Sequence, residues 1–269
     1  MIGQKTLLAK IEQMLTSYPK FSIITGAANS GKRLIAEYIC KRLGLQIVYF
    51  GTGIDNVREI IELSYQQDKP ICYICANADS MSIGAKNSLL KITEEPPNNA
   101  YFILTLQSIT NTLETIQSRA TVLSLDEYTP DELIAYREFK KYPTGFDEIV
   151  KEVCSSTGEV DALFSVDVPS FFKFAETVAF QIHIPTTGNI FKIPKSLKMK
   201  ESDKEGFDPI LLFKTVRNLY LKKGIKERNP KYLWAAEVTS ECLRDLNLLT
   251  VNKVGTVDKW IMDVRTVLR

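Results

Sequence analysis

The chain has 269 residues, 45% of them apolar and 25% charged, with a formal net charge of +2, the profile of an ordinary globular protein of two or three domains. No uninterrupted apolar stretch approaches the roughly 18 residues of a membrane span, and Met1–Lys5 lacks the layout of a signal peptide. The five cysteines are scattered, which suits reduced thiols in the cytosol. A single histidine, His183, leaves no material for a histidine-based triad or a multi-histidine metal site.

In chain order, the first 125 residues alternate short apolar runs with helical patterns, the mark of an α/β fold. Leu7–Leu15 is an amphipathic helix, followed by a strand at Phe21–Thr25, a glycine loop and a helix to about residue 43. Further strands are predicted at 46–50, 70–75, 100–105 and 120–125, with helices at 54–63 and 82–93 and a helical turn at 113–117. Cys72 and Cys75 form a C-x-x-C within the third strand; there they point to opposite faces and are expected to be packing residues. Residues 126–165 carry a net charge of −6 and read as a small helical bundle that opens at Thr129-Pro-Asp-Glu132, an N-cap hydroxyl with proline at N1 and acids in the first turn. Residues 166–269 carry +6 and are helical, with a polar break near 185–208. The expected domains are 1–125, 126–166 and 167–269.

Gly26-Ala-Ala-Asn-Ser-Gly-Lys-Arg33 follows the first strand and opens a helix. A P-loop reads G-x-x-x-x-G-K-[ST]: backbone N–H groups cradle phosphates, the lysine reaches the terminal ones, and the hydroxyl holds Mg²⁺. Gly26, Gly31 and Lys32 are in place, but Arg33 puts a cation where the metal-binding hydroxyl belongs.

Ala85-Lys-Asn-Ser-Leu-Leu-Lys-Ile-Thr-Glu-Glu-Pro-Pro97 resembles the N-x-L-L-K-x-L-E-E-P-P hallmark of clamp-loader AAA+ subunits, and Thr115-Ile-Gln-Ser-Arg119 is similar to their T-I-x-S-R-C element. Tyr101–Leu104 falls at the family's sensor-1 strand, Ile2-Gly-Gln4 at its adenine-contacting N-terminal box, and Ile54–Ile61 at the helix that follows the zinc module, itself missing. The resemblance implies an AAA+ P-loop parallel sheet with helices on both faces, a small helical lid and an all-α C-terminal collar.

The departures from that pattern are specific. The family's Asp-Glu pair, for metal and for the attacking water, is replaced by Ala76 and Asn77. Sensor 1 falls at Leu106–Gln107, and the sensor-2 position after Gly158 reads Glu159-Val-Asp161 without arginine. Asp79 is a candidate displaced metal ligand, more cheaply explained by a local helix start. Ser118 and Arg119 keep the arginine-finger element, which acts in trans on nucleotide held by a neighbouring subunit.

These features resemble the delta-prime branch of the bacterial DNA polymerase III clamp-loader family. The resemblance implies a non-hydrolysing subunit in the cytoplasm, with no required cofactor, no metal and little ATP or ADP bound at Gly26, Gly31 and Lys32. It also implies gamma/tau-type and delta-type partners in a hetero-pentamer, access to the sliding clamp and primer-template DNA through that complex, and no membrane. The alternatives are an active ATPase motor subunit of a divergent or phage loader, and a stand-alone nucleotide-sensing scaffold. Residues 186–232 carry +7, with Lys222, Lys223, Lys226, Arg228 and Lys231 around one turn beside Tyr220 and Tyr232. This stretch is either a DNA-facing patch or a solvated helix end.

Overall fold

The apolar runs of the first half become strands β1 (Phe21–Thr25), β2 (Gln46–Tyr49), β3 (Ile71–Cys75), β4 (Ala100–Leu106) and β5 (Thr121–Ser124). The computed structural model describes residues 3–182, 193–198, 206–247 and 252–269. The strands form one sheet in the order β2-β3-β4-β1-β5, every neighbouring pair parallel. β1 lies between β4 and β5, with Ile23 opposite both Leu104 and Val122.

Side chains alternate across this sheet and build two cores. Phe21, Ile23, Tyr73, Cys75, Phe102 and Leu104 face one layer of helices: α3 (Ile54–Ser64), α4 (Ile83–Ser88), α5 (Leu90–Glu94) and α6 (Glu114–Gln117). Ile24, Cys72, Ile74, Ile103 and Leu123 face the other, made by α1 (Lys5–Met14) and α2 (Lys32–Leu43). Cys72 and Cys75 do fall on opposite faces. Both are fully buried free thiols, and burial pushes Cys75 up to about 12, which suits packing rather than redox chemistry.

The helix expected over 82–93 is instead broken at Leu89, whose N–H bonds to Lys86 O in a tight three-residue turn. Pro96 and Pro97 follow the end of α5, where the chain leaves for β4.

The chain divides into two compact units, residues 1–132 with 156–158, and residues 133–155 with 159–269. The second unit is helical. It draws on α7 (Pro130–Phe139), α8 (Asp147–Val153), α9 (Thr157–Phe164), α10 (Val168–Gln181), α11 (Pro209–Glu227), α12 (Pro230–Leu246) and α13 (Lys253–Leu268). The predicted start of α7 forms a reciprocal capping box: Thr129 Oγ1 accepts from Glu132 N, and Glu132 Oε2 accepts from Thr129 N. Asp208, Asn229 and Asn252 cap α11, α12 and α13.

α11 packs on α10 and α12, and α12 on α13. The Trp260 ring stands edge-on to Phe213 at 4.6 Å and donates its N–H to Thr239, so a large apolar surface is buried without an orphan donor. His183 and most of the polar break at 185–208 lie outside the described residues.

Candidate functional site

The C-terminal ends of β1, β3 and β4 open on one edge of the sheet, where parallel α/β sheets place their ligands. The glycine loop leaves β1 there. Gly31, at φ 91°, turns the chain into α2, a conformation that disfavours any residue with a Cβ. Lys32 is 6% exposed, and its ammonium donates to the loop's own carbonyls, Gly26 O at 2.8 Å and Ala27 O at 2.6 Å. Burial lowers its pKa, partly offset by the charge of Asp79.

Two contacts close the loop from outside. Gly158 N donates to Asn29 O at 3.1 Å, and a Cβ on Gly158 would come within 2.5 Å of Asn29 Cβ. Tyr128 OH donates to Ser30 O at 3.1 Å, its ring also packed against Gly3. The hydroxyl of Ser30 is buried with no partner among the described residues.

Arg33 is oriented differently from the sequence expectation. Its guanidinium does not stay with the loop: it lies over the Tyr49 ring at 4.3 Å and its Nε donates to Glu37 at 2.8 Å. An adjacent carboxylate one turn on and an aromatic face offer it more than the loop does. Gln4, of the segment expected beside adenine, grips the backbone after β5, donating to Asp126 O at 2.7 Å and accepting from Asp126 N at 2.8 Å. Ile2 of the same box lies outside the described residues.

Ala76 and Asn77 follow β3 on the loop's edge. Asn77 is left-handed at φ 57°, and its N–H donates to Thr105 Oγ1. Asp79 is neither a helix cap nor an open ligand. Both of its oxygens accept from Gln107 N, at 2.9 and 3.0 Å, and Oδ1 also from Asn111 at 2.7 Å, so it latches the end of β4 to the turn after β3. The acids at the sensor-2 position are likewise engaged: Glu159 pairs with Lys214 at 2.5 Å, and Asp161 accepts from Tyr136 and Tyr142. The groups a P-loop would offer to a metal-bound nucleotide are replaced or engaged within the protein. Ala76 cannot ligate, the Asp79 carboxylate is committed, and the Lys32 ammonium is turned inward.

Arg119 sits elsewhere. It precedes β5, which starts opposite Ser22 at the beginning of β1. The loop leaves β1 after Thr25, so the two motifs lie at opposite ends of the strands. Arg119 Nη1 donates to Thr115 O at 2.7 Å, and Nη2 pairs with Glu94 at 2.8 Å. Glu94 belongs to the Glu-Glu-Pro-Pro segment, so the ion pair joins both motif stretches. Ser118 donates to the same Thr115 carbonyl. Glu94, Tyr128 and the closing role of Gly158 escaped sequence reasoning, because each acts on a residue at least 25 positions away with no shared periodicity.

The fold is shared with solved proteins, and part of the sequence is similar to that of known ones. Residues 51–129 match the family described as DNA polymerase III, delta subunit. DNA polymerase III subunit delta-prime of Haemophilus influenzae is 37% identical over 92 residues, 33% of this chain and 27% of that protein. The chain thus matches about a quarter of that relative's length. A solved DNA polymerase III gamma subunit-related protein of Thermotoga maritima superposes with a TM-score of 0.55 at 15% identity, over 98% of this chain and 100% of that one. The RuvB Holliday junction branch migration motor of Thermotoga maritima gives 0.50 at 14% identity, over 72% and 78%.

The architecture is therefore that of the AAA+ P-loop proteins. Within that class the resemblance is to a DNA polymerase III clamp-loader subunit of the delta-prime type.

Proposed function

We propose that the chain is a non-hydrolysing clamp-loader subunit that presents Arg119 to nucleotide bound by a neighbouring ATPase subunit. Its partners are gamma/tau-type and delta-type subunits in a hetero-pentamer in the cytoplasm, which loads the sliding clamp onto primed DNA. Residues 126–166 serve as lid and 167–269 as collar. The observation that carries this reading is the placement of the two cations. Lys32 spends its charge on the loop's own carbonyls, whereas Arg119 stands at the opposite end of the strands, on the surface, where it cannot serve its own loop.

In phosphoryl transfer the protein positions and neutralises charge, and an arginine supplied in trans stabilises the transferring group. Arg119 suits that task, because a guanidinium is always charged and its planar fork matches phosphate oxygens. The loop lacks the corresponding parts for its own reaction: Ala76 and Asn77 supply neither a metal-holding carboxylate nor a base.

The test is DNA-stimulated ATPase of the clamp loader reconstituted from the same source. Arg119→Ala in this chain is expected to cut turnover on the order of 10³-fold, with Lys32→Ala close to wild type. If Lys32→Ala abolishes turnover and the isolated chain hydrolyses ATP, the chain is a motor subunit instead. A silent Arg119→Ala removes the finger role.

A further inference from the structure

A cavity of about 460 Å³ opens between α11 and α12 in the second unit. Its cations come from both helices. Lys214 and Arg217, three residues apart on α11, share a face, and Arg244 stands across from them on α12. Ser240 and Asn247 line the same wall as Arg244, as their spacing of three and four residues requires, and Glu237 is the one acidic side chain there.

The state of these groups differs. Lys214 is held by Glu159 at 2.5 Å and by Ser155 at 2.7 Å, so its charge is largely answered. Arg217 is not answered. Its Nε is buried with no partner among the described residues, and its terminal nitrogen reaches only Asn218 at 3.5 Å. A buried N–H of a charged group left in this state calls for an acceptor. Arg244 is 74% exposed and lies 3.7 Å from Glu241, a loose contact that leaves its fork free to turn inward.

We propose that this cavity binds a phosphoryl group. A carboxylate has two oxygens and one charge, which a single arginine fork satisfies. A phosphoryl group has more acceptor oxygens, spread in three dimensions, and can take the Arg217 Nε–H and the Arg244 fork from two helices at once. Asn247, with one amide hydrogen committed to Leu243 O, has a second to offer. Glu237 opposes the bound charge and limits affinity. The phosphoryl group can be carried by single-stranded DNA or arrive as free phosphate or pyrophosphate. The site does not depend on the finger role of Arg119.

The experiment is a titration of the full chain with a fluorescein-labelled oligo-dT at low salt, read by anisotropy, with inorganic phosphate and pyrophosphate titrated separately by calorimetry and as competitors. Arg244→Ala is expected to weaken binding about 5-fold to 10-fold, and Glu237→Gln to tighten it several-fold, since a lost or gained phosphate-facing charge changes affinity by this order. Both side chains are exposed, so neither variant threatens the fold, whereas Arg217→Ala disturbs a half-buried position. If pyrophosphate binds with the same variant response and the oligonucleotide does not, the cavity takes small phosphates. Binding that ignores both variants, absence of binding by all three probes, or preference for a poly-glutamate peptide would overturn the proposal.

Discussion

Lys32 and Arg119 are the two cations that the motifs single out, and the first unit treats them in opposite ways. Lys32 is buried and bonded to two carbonyls of its own loop, contacts that belong to the fold. Arg119 is half-exposed, with one carbonyl and one exposed carboxylate as partners. Moving Lys32 onto a ligand would leave Gly26 O without its donor and Ala27 O with Ser30 N alone, whereas Arg119 can exchange Glu94 for another anion at little cost, since exposed pairs are worth about 0–1 kcal/mol. A motif cation can thus remain in the sequence as scaffold or as a reagent, and its partners distinguish the two.

Three substitutions sharpen or break this contrast, each read by hydrogen exchange of the β1 and β4 amides, because both tryptophans, Trp234 and Trp260, lie in the second unit. The largest effect is expected from Gly158→Ala. Its methyl group would lie 2.5 Å from Asn29 Cβ and 2.9 Å from Asn29 O, so the loop must shift, with a loss of about 1–3 kcal/mol. Unchanged protection would mean that Gly158 does not brace the loop. Lys32→Met comes next. It strands Gly26 O, while Ala27 O keeps Ser30 N as donor, and it also removes a charge that burial disfavours, so a loss of about 1 kcal/mol is expected. A gain in protection would show that the lysine is kept for a ligand rather than for the fold. Glu94→Gln should be smallest, under about 0.5 kcal/mol, with turnover of the reconstituted complex at or above wild type. A fall in turnover like that of Arg119→Ala would mean that Glu94 aims the finger instead of parking it.

Much of the sheet could be read directly, because each strand is a short apolar run ended by polar or glycine residues, and a strand buried on both faces needs nothing else. Helix lengths were harder. α12 runs from Pro230 to Leu246, but Glu241, Arg244 and Asp245 dilute its apolar pattern while Cys242, Leu243 and Leu246 stay buried. The damaged loop was legible as a motif, but its closure was not. Tyr128 and Gly158 reach it from about a hundred residues away, and no local pattern announces such a contact. Arg33 shows the same limit: its position in the motif suggested a misplaced charge, and Tyr49, sixteen residues on, decides where that charge goes.

The grip of Gln4 on Asp126 ties together residues 122 positions apart. β5 lies at the sheet's margin beside β1, so this clasp fastens the earliest part of the unit to the last strand synthesised. During translation this clasp can form only after residue 126 has emerged. A nascent chain stopped short of that point would carry all of β1 to β4 without this clasp, and the closure of the glycine loop by Gly158 comes later still.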